Sequence, residues 1–207
     1  MKDYKELSRK EFNKEAEKFD QAKGMDVYKM CKESYAPILD EVKKEPFESL
    51  LDVGCGTGNS IESLKNEFPE KKYTGIDLAE NMIAVAKKKR IPGTDFVVGD
   101  AENLPFKEAQ FDVIICKESF HHYPHVEKFF QSAYRALKPG GRLIILDMAI
   151  PAVGRWINNH FILPLMKKGD VHVYGIDEVK RLYRSVGFKV ERADKIESMR
   201  FIFCGRK

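Results

Sequence analysis

No run of about 18 apolar residues occurs in this chain of 207, which excludes a membrane-spanning helix of ordinary length. The charged start, Met1-Lys-Asp-Tyr-Lys-Glu6, carries no apolar signal segment, so a cytoplasmic protein is expected. Cysteine is sparse. Cys31, Cys55, Cys116 and Cys204 are scattered without paired metal-ligand spacing, so no metal site is expected and reduced thiols are. Charge of one sign is also missing. The 36 basic and 32 acidic residues leave a net +4, too mild to argue for nucleic acid. Residues 151–207 are more basic than the rest, which fits a solvated surface or, more sharply, an anionic substrate or membrane surface. Repeats and low-complexity segments are absent. What remains, at 43% hydrophobic, fits one α/β domain with a small cap.

From Ser49 onward, short apolar runs alternate with amphipathic stretches of about ten residues. The spacing predicts strands at 49–53, 73–77, 95–98, 111–116 and 142–147, with helices at 59–68, 80–90 and 125–137. That alternation implies βαβ units and a parallel sheet covered on both faces. The turn Lys138-Pro-Gly-Gly141 is expected to end a helix and admit the fifth strand. A further helix is expected over 177–187, capped by Asp177 and ended by Gly187. Strands at 188–195 and 199–205 would then form an antiparallel hairpin.

Before this core, residues 1–45 show helical spacing and are read as an N-terminal helical cap, broken at Gly24 and closed by Pro46. Phe12, Ala16 and Phe19 share one face, and Tyr28, Cys31, Tyr35 and Leu39 another. Segment 148–172 is read as a cap insertion. It carries many large apolar residues, with the only tryptophan, Trp156, just after the end of a strand.

The most specific stretch is Leu50-Leu-Asp-Val-Gly-Cys-Gly-Thr-Gly-Asn-Ser60. A buried strand runs into Gly54, Gly56 and Gly58, and a helix pattern follows. Glycines there let a ligand lie against backbone, and the N–H groups of the helix start face it. The spacing is not the G-x-G-x-x-G of dinucleotide sites, and no P-loop lysine follows.

Asp52-Val-Gly-Cys-Gly-Thr-Gly58 resembles the first motif of class I S-adenosylmethionine-dependent methyltransferases. The likeness continues in order through Tyr73-Thr-Gly-Ile-Asp-Leu78, Phe96 to Phe106, Phe111 to Cys116 with His121-His122, and Leu137 to Arg142. It is nearest in flavour to the small-molecule branch of ubiquinone and menaquinone biosynthesis. The resemblance implies a Rossmann-like α/β fold with a seven-stranded, mostly parallel sheet, order 3-2-1-4-5-7-6, the last strand antiparallel. It implies S-adenosyl-L-methionine as cofactor.

It also implies roles for single residues. Asp77, about 20 residues past the glycine turn, has the position to accept both ribose hydroxyls, or to cap the next helix. Asp100 and Ala101, with Glu102 beside them, would read the adenine. Leu78 and Met82 would offer it apolar faces, and Met82 serves equally as core. Asp52, a carboxylate inside a strand, either orients the turn and the amino end of the cofactor or serves backbone N–H groups alone. Cys55 reads as a small residue that the turn tolerates. Lys117 is placed for the methionyl end, or simply for solvent. His121 and His122 are the general-base candidates, with a packing role as the alternative. A metal site from His121, His122 and His125 finds no supporting carboxylate or cysteine spacing.

Phe19, Tyr28 and 148–166 would make an apolar roof, or merely bury one another. Methyl transfer to a small, partly apolar acceptor is the expected function. A non-catalytic S-adenosylmethionine-binding module and an RNA methyltransferase are the alternatives. The fourth strand is followed by Lys117-Glu-Ser-Phe120 and not by the Asn/Asp-Pro-Pro-Tyr/Phe platform for a flipped base, so no nucleic-acid partner is expected. Oligomeric state is not readable from the sequence.

Overall fold

Alternation along the strands decides the layering. In β1 (Ser49–Val53), Leu51 and Val53 join one apolar cluster and Leu50 another. In β5 (Leu137–Met148), Leu143 and Ile145 belong to the first cluster, Ile144 and Leu146 to the second. Successive side chains of a strand point to opposite faces, so burial of both sets means a sheet between two helical layers. The computed structural model describes residues 2–21, 35–166, 168–196 and 199–207. Gly24, Tyr28 and Cys31 lie outside the described residues.

β2 (Lys72–Asp77), β3 (Thr94–Val98), β4 (Phe111–Lys117), β6 (Lys189–Ile196) and β7 (Arg200–Arg206) complete a seven-stranded sheet in the order 3-2-1-4-5-7-6. The pairs β3–β2, β2–β1, β1–β4 and β4–β5 are parallel, and β7 runs antiparallel to both β5 and β6. This is the order the methyltransferase resemblance implies. The chain winds outward from β1 to β3 on one side, then returns to β4 on the other. A crevice therefore opens at the carboxyl ends of β1 and β4.

The helices are α1 (Tyr4–Phe19), α2 (Ala36–Val42), α3 (Asn59–Glu67), α4 (Glu80–Lys88), α5 (Val126–Ala136), α6 (Ala152–Ile157) and α7 (Ile176–Ser185). Apolar residues at helical spacing, such as Ile61 and Leu64 of α3, are the ones buried.

Most boundaries shift from expectation by a residue or two, and three of the differences are informative. α4 stops two residues early, and Arg90 behind it takes the left-handed φ of 51°. β5 begins at Leu137, because Phe111 pairs with Leu137 before the register shifts to Val113–Arg142; the Lys138–Gly141 turn is an irregularity within the strand pair. The cap of α7 is Gly175, not Asp177: the Glu178 carboxylate takes the Gly175 N–H at 2.5 Å, and Asp177 sits in the first turn. There its charge still favours the positive helix end.

Candidate cofactor and acceptor site

The glycine turn is stitched to the end of β2. Gly54 and Cys55 both donate N–H bonds to the Ile76 carbonyl, at 2.8 and 3.0 Å, and Gly56 donates to Asp77 Oδ2 at 2.8 Å. Two of the glycines have separate reasons to be glycine. At Gly54 (φ +72°) a Cβ would come within 1.9 Å of Ser119 Oγ, so the position is sterically closed. At Gly56 (φ +53°) a Cβ would meet no atom within 4 Å, because it would point into open space. That space is a cavity of about 630 Å³ at the carboxyl ends of the strands, within the size range of small-molecule and cofactor sites.

Most of the expected site residues meet there. Gly54, Cys55, Gly56, Asp77, Leu78, Met82, Asp100, Ala101, Lys117, His121 and His122 all line the cavity. Gly58, Asp52 and Glu102 do not. Gly58 caps α3 against the Phe96 ring. Glu102 is turned inward, taking the His125 N–H at 2.6 Å and pairing with Lys5 at 2.5 Å. Asp52 lies behind the turn, 1% exposed, and its Oδ2 has no hydrogen-bond partner among the described residues. Burial pushes the Asp52 carboxyl up to about 7, with Lys117 pulling down and Asp77 pushing up.

Asp77 serves the fold as well as facing the cavity. Its Oδ1 accepts the Ala79 N–H at 2.9 Å, so the helix-start role is present. Burial raises its pKa, against the pull of the Ala79 and Gly56 N–H groups. Each oxygen keeps a second lone pair for a ligand hydroxyl. Asp100 Oδ1 accepts the Glu102 N–H at 2.9 Å, and its Oδ2 receives Lys5 Nζ at 2.6 Å. The Cys55 thiol is raised well above its ordinary value by burial and by Asp77 and Asp52, so it is an inert filler of the turn. Lys117 Nζ stands 4.7 Å from the Tyr35 ring centroid and 4.0 Å from Glu118.

Beyond β4 the histidines sit in a tight turn, Phe120–His122. His121 is buried, with Nδ1 2.7 Å from Asp147 Oδ1. Burial works to lower its pKa, but Asp147, Asp170 and Glu118 outweigh it and the net shift is upward. His122 goes the other way. Burial and then His121 hold it well below the ordinary value, against a smaller upward pull from the Gly169 backbone. Its ring meets Phe12 edge-on at 5.2 Å.

Several lining or supporting residues had no sequence signal. Asp20, at the end of α1, receives Thr57 Oγ1 at 2.6 Å and Asn59 Nδ2 at 2.7 Å, tying α1 to the glycine turn. Lys5, Tyr35, Asp170 and Arg200 also line the cavity, and Asp147 backs it, while Glu118 lines it as part of the expected segment after the fourth strand. The expected roof is only partly there. Phe12, Phe19, Met148 and Ile150 line the cavity. Trp156, Phe161 and Leu165 are instead exposed, at 55%, 54% and 83%, and do not line the cavity, although Trp156 meets Phe161 edge-on at 5.5 Å.

The cavity suits a ligand with S-adenosylmethionine's parts. Gly56 leaves room over bare backbone, Asp77 offers acceptor lone pairs, and an unpartnered buried carboxylate oxygen stands behind the turn.

Comparison with known proteins agrees. Residues 51–145 match a family described as a methyltransferase domain. The chain is 42% identical over 102 residues to the phthiotriol/phenolphthiotriol dimycocerosates methyltransferase of Mycobacterium tuberculosis, covering 49% of this chain and 38% of that one. The match thus spans well under half the length of that relative. It is 27% identical over 214 residues to the demethylmenaquinone methyltransferase of Thermotoga maritima, covering 94% and 93%. A solved S-adenosylmethionine-dependent methyltransferase from Aquifex aeolicus superposes with a TM-score of 0.73 at 22% identity, over 94% of this chain and 97% of that one. Residues 51–145 are thus similar to a methyltransferase domain, and the fold is that of solved S-adenosylmethionine-dependent methyltransferases. Among the described residues, no helix is long and apolar enough to cross a membrane.

Proposed function

We propose that the protein transfers a methyl group from S-adenosylmethionine to a small, partly apolar acceptor in the cytoplasm. One observation carries this reading: a single cavity joins the Gly54–Gly56 turn and Asp77 to His121, His122 and the apolar side chains of Phe12, Phe19, Met148 and Ile150. In this reading the whole chain is one methyltransferase domain, with 1–45 and 148–172 as its caps.

Asp77 accepts the ribose hydroxyls, and Asp100 with the Ala101 N–H reads the adenine edge. Leu78 and Met82 flank the ring. Lys117 offers charge to the methionyl carboxylate, and Asp52 behind the turn balances the ammonium. Gly58 and Glu102 act at one remove, by holding α3 and the turn after Asp100. The bound cofactor supplies an activated methyl on a sulfonium that leaves as a neutral thioether. Leaving-group protonation is therefore unnecessary, and the protein's work is positioning and exclusion of water.

Where the acceptor must lose a proton, the histidines are the candidates. Asp147 holds the His121 Nδ1–H, which leaves Nε2 turned toward the cavity. His122, held neutral by burial, shapes the same wall. The apolar lining points to a quinol-like or lipid-like acceptor, in keeping with relatives named for demethylmenaquinone and phthiotriol dimycocerosates. No nucleic-acid partner is called for.

The test is conversion of S-adenosylmethionine to S-adenosylhomocysteine with a reduced, prenylated hydroxyquinol, against the same assay with RNA. Turnover with the quinol supports the reading. Turnover with RNA alone, or cofactor binding without any turnover, overturns it.

A further inference from the structure

Three metal-ligating atoms converge on the acceptor side of the cavity. His121 Nε2 lies 3.5 Å and His122 Nδ1 3.2 Å from Asp170 Oδ1, and all three lie within 4.8 Å of one another. No local pattern joins Asp170 to the histidine pair, because they lie far apart in the chain. The fold joins them through backbone: Val171 and His172 N–H groups both bond the His121 carbonyl, at 3.0 and 3.3 Å.

One carboxylate oxygen, Asp170 Oδ1, faces both rings. With the His121 Nδ1–H donated to Asp147, Nε2 presents a lone pair. His122 Nδ1 is buried and has no hydrogen-bond partner among the described residues, though it faces a carboxylate oxygen. Two imidazole nitrogens and a carboxylate oxygen thus converge, and a bound cation would take the place of any proton between them. Lys168, the nearby lysine of this loop, is directed to Glu11 at 3.5 Å. Tetrahedral ligands with zinc bonds of about 2.0–2.1 Å stand about 3.3 Å apart, which matches the two measured separations. Asp147 supplies the carboxylate behind a ligating histidine that orients the ring in many metal sites. Its Oδ1 is fixed in turn by the Met148 N–H at 2.7 Å. Phe12 holds the His122 ring from the other side.

We propose that His121 Nε2, His122 Nδ1 and Asp170 Oδ1 bind one divalent transition-metal ion of the zinc class. Three protein ligands leave a coordination position open to the cavity. That position takes an oxygen of the acceptor, fixing it and lowering the pKa of its hydroxyl. The oxygen assignment rests on the methyl-transfer reading; the metal site does not. The pair of histidines thereby changes role, from proton acceptors to ligands.

The test is metal binding by the full chain, with cofactor and acceptor left out. Protein stripped by chelator is titrated with Co²⁺ and followed by visible absorption, and zinc content is counted after dialysis against Zn²⁺. Close to one ion per chain and a tetrahedral Co²⁺ spectrum are expected. His122→Ala and Asp170→Asn should each weaken binding by more than about tenfold, since loss of even a group that only orients a ligand costs about 10–100-fold. S-adenosylhomocysteine affinity and Tm, measured on the same samples, show that these variants remain folded. Absence of bound metal in the wild-type chain overturns the site, as does unchanged affinity in both variants. Metal bound with no methyl transfer to any acceptor would leave the site standing and remove the reading of function.

Discussion

Asp52 is a buried carboxylate and its neighbour Asp77 a half-buried one, and their tasks differ. Asp77 is held by two backbone N–H groups and faces the cavity; Asp52 is hidden, with one oxygen unpartnered. Replacing Asp77 with Asn keeps the shape and removes the charge, and should weaken S-adenosylhomocysteine binding by about 10–100-fold, the worth of one or two lost charged hydrogen bonds. Calorimetry beside a melting curve checks this; full affinity in a folded variant removes the ribose role. Asp52 predicts a pH effect. Its folded pKa of about 7 lies above the unfolded value near 4, so the folded state binds the extra proton between those values. Stability from this group is present below pH of about 4, falls as pH rises and levels off above about 7, by up to about 4 kcal/mol in all. Asp52→Asn should abolish most of that fall, giving a higher Tm than wild type at pH 8 in the absence of cofactor. A lower Tm at that pH would contradict the burial argument.

The glycine turn, α1 and the strands divide by how visible they were. β1 to β5 could be read because each is a short apolar run between breakers, and the three alternate glycines have few structural explanations. The grip of α1 on the turn could not. Asp20 meets Thr57 and Asn59, and Lys5 meets Asp100 and Glu102, through tertiary contacts that no local period encodes. The Asp170–histidine contact was hidden for the same reason. Two substitutions separate the turn's jobs. Gly54→Ala drives a Cβ into Ser119 at a left-handed φ and should destabilise the fold by about 2–5 kcal/mol. Gly56→Ala meets no atom, so it should cost only about 1–2 kcal/mol of backbone strain while its methyl enters the cofactor's space. Its expected signature is a modest Tm loss with more than tenfold weaker S-adenosylhomocysteine binding. Equal effects of the two changes on stability would refute the geometry.

Across the whole molecule, a seven-stranded sheet of order 3-2-1-4-5-7-6 carries one cavity wall that matches a sequence motif, and a second wall built from segments with little pattern. Residues 152–165 illustrate the difference. Their apolar content suggested a roof, yet Trp156, Phe161 and Leu165 face outward along one helical run from Ala152 to Leu165, in which Leu163 alone is buried. Trp156→Ser and Phe161→Ser should each change unfolding free energy by no more than about 0.5 kcal/mol, as at other exposed sites; denaturant melts measure it. The central claim is that the cavity delivers a methyl group to an apolar small molecule. The most direct measurement incubates the protein with methyl-tritiated S-adenosylmethionine and a cell metabolite extract, then partitions the products between organic solvent and water. Enzyme-dependent label should enter the organic phase and be lost in Asp77→Asn. Label confined to the aqueous phase or to nucleic acid, or no transfer at all by a protein that binds the cofactor, would contradict the account.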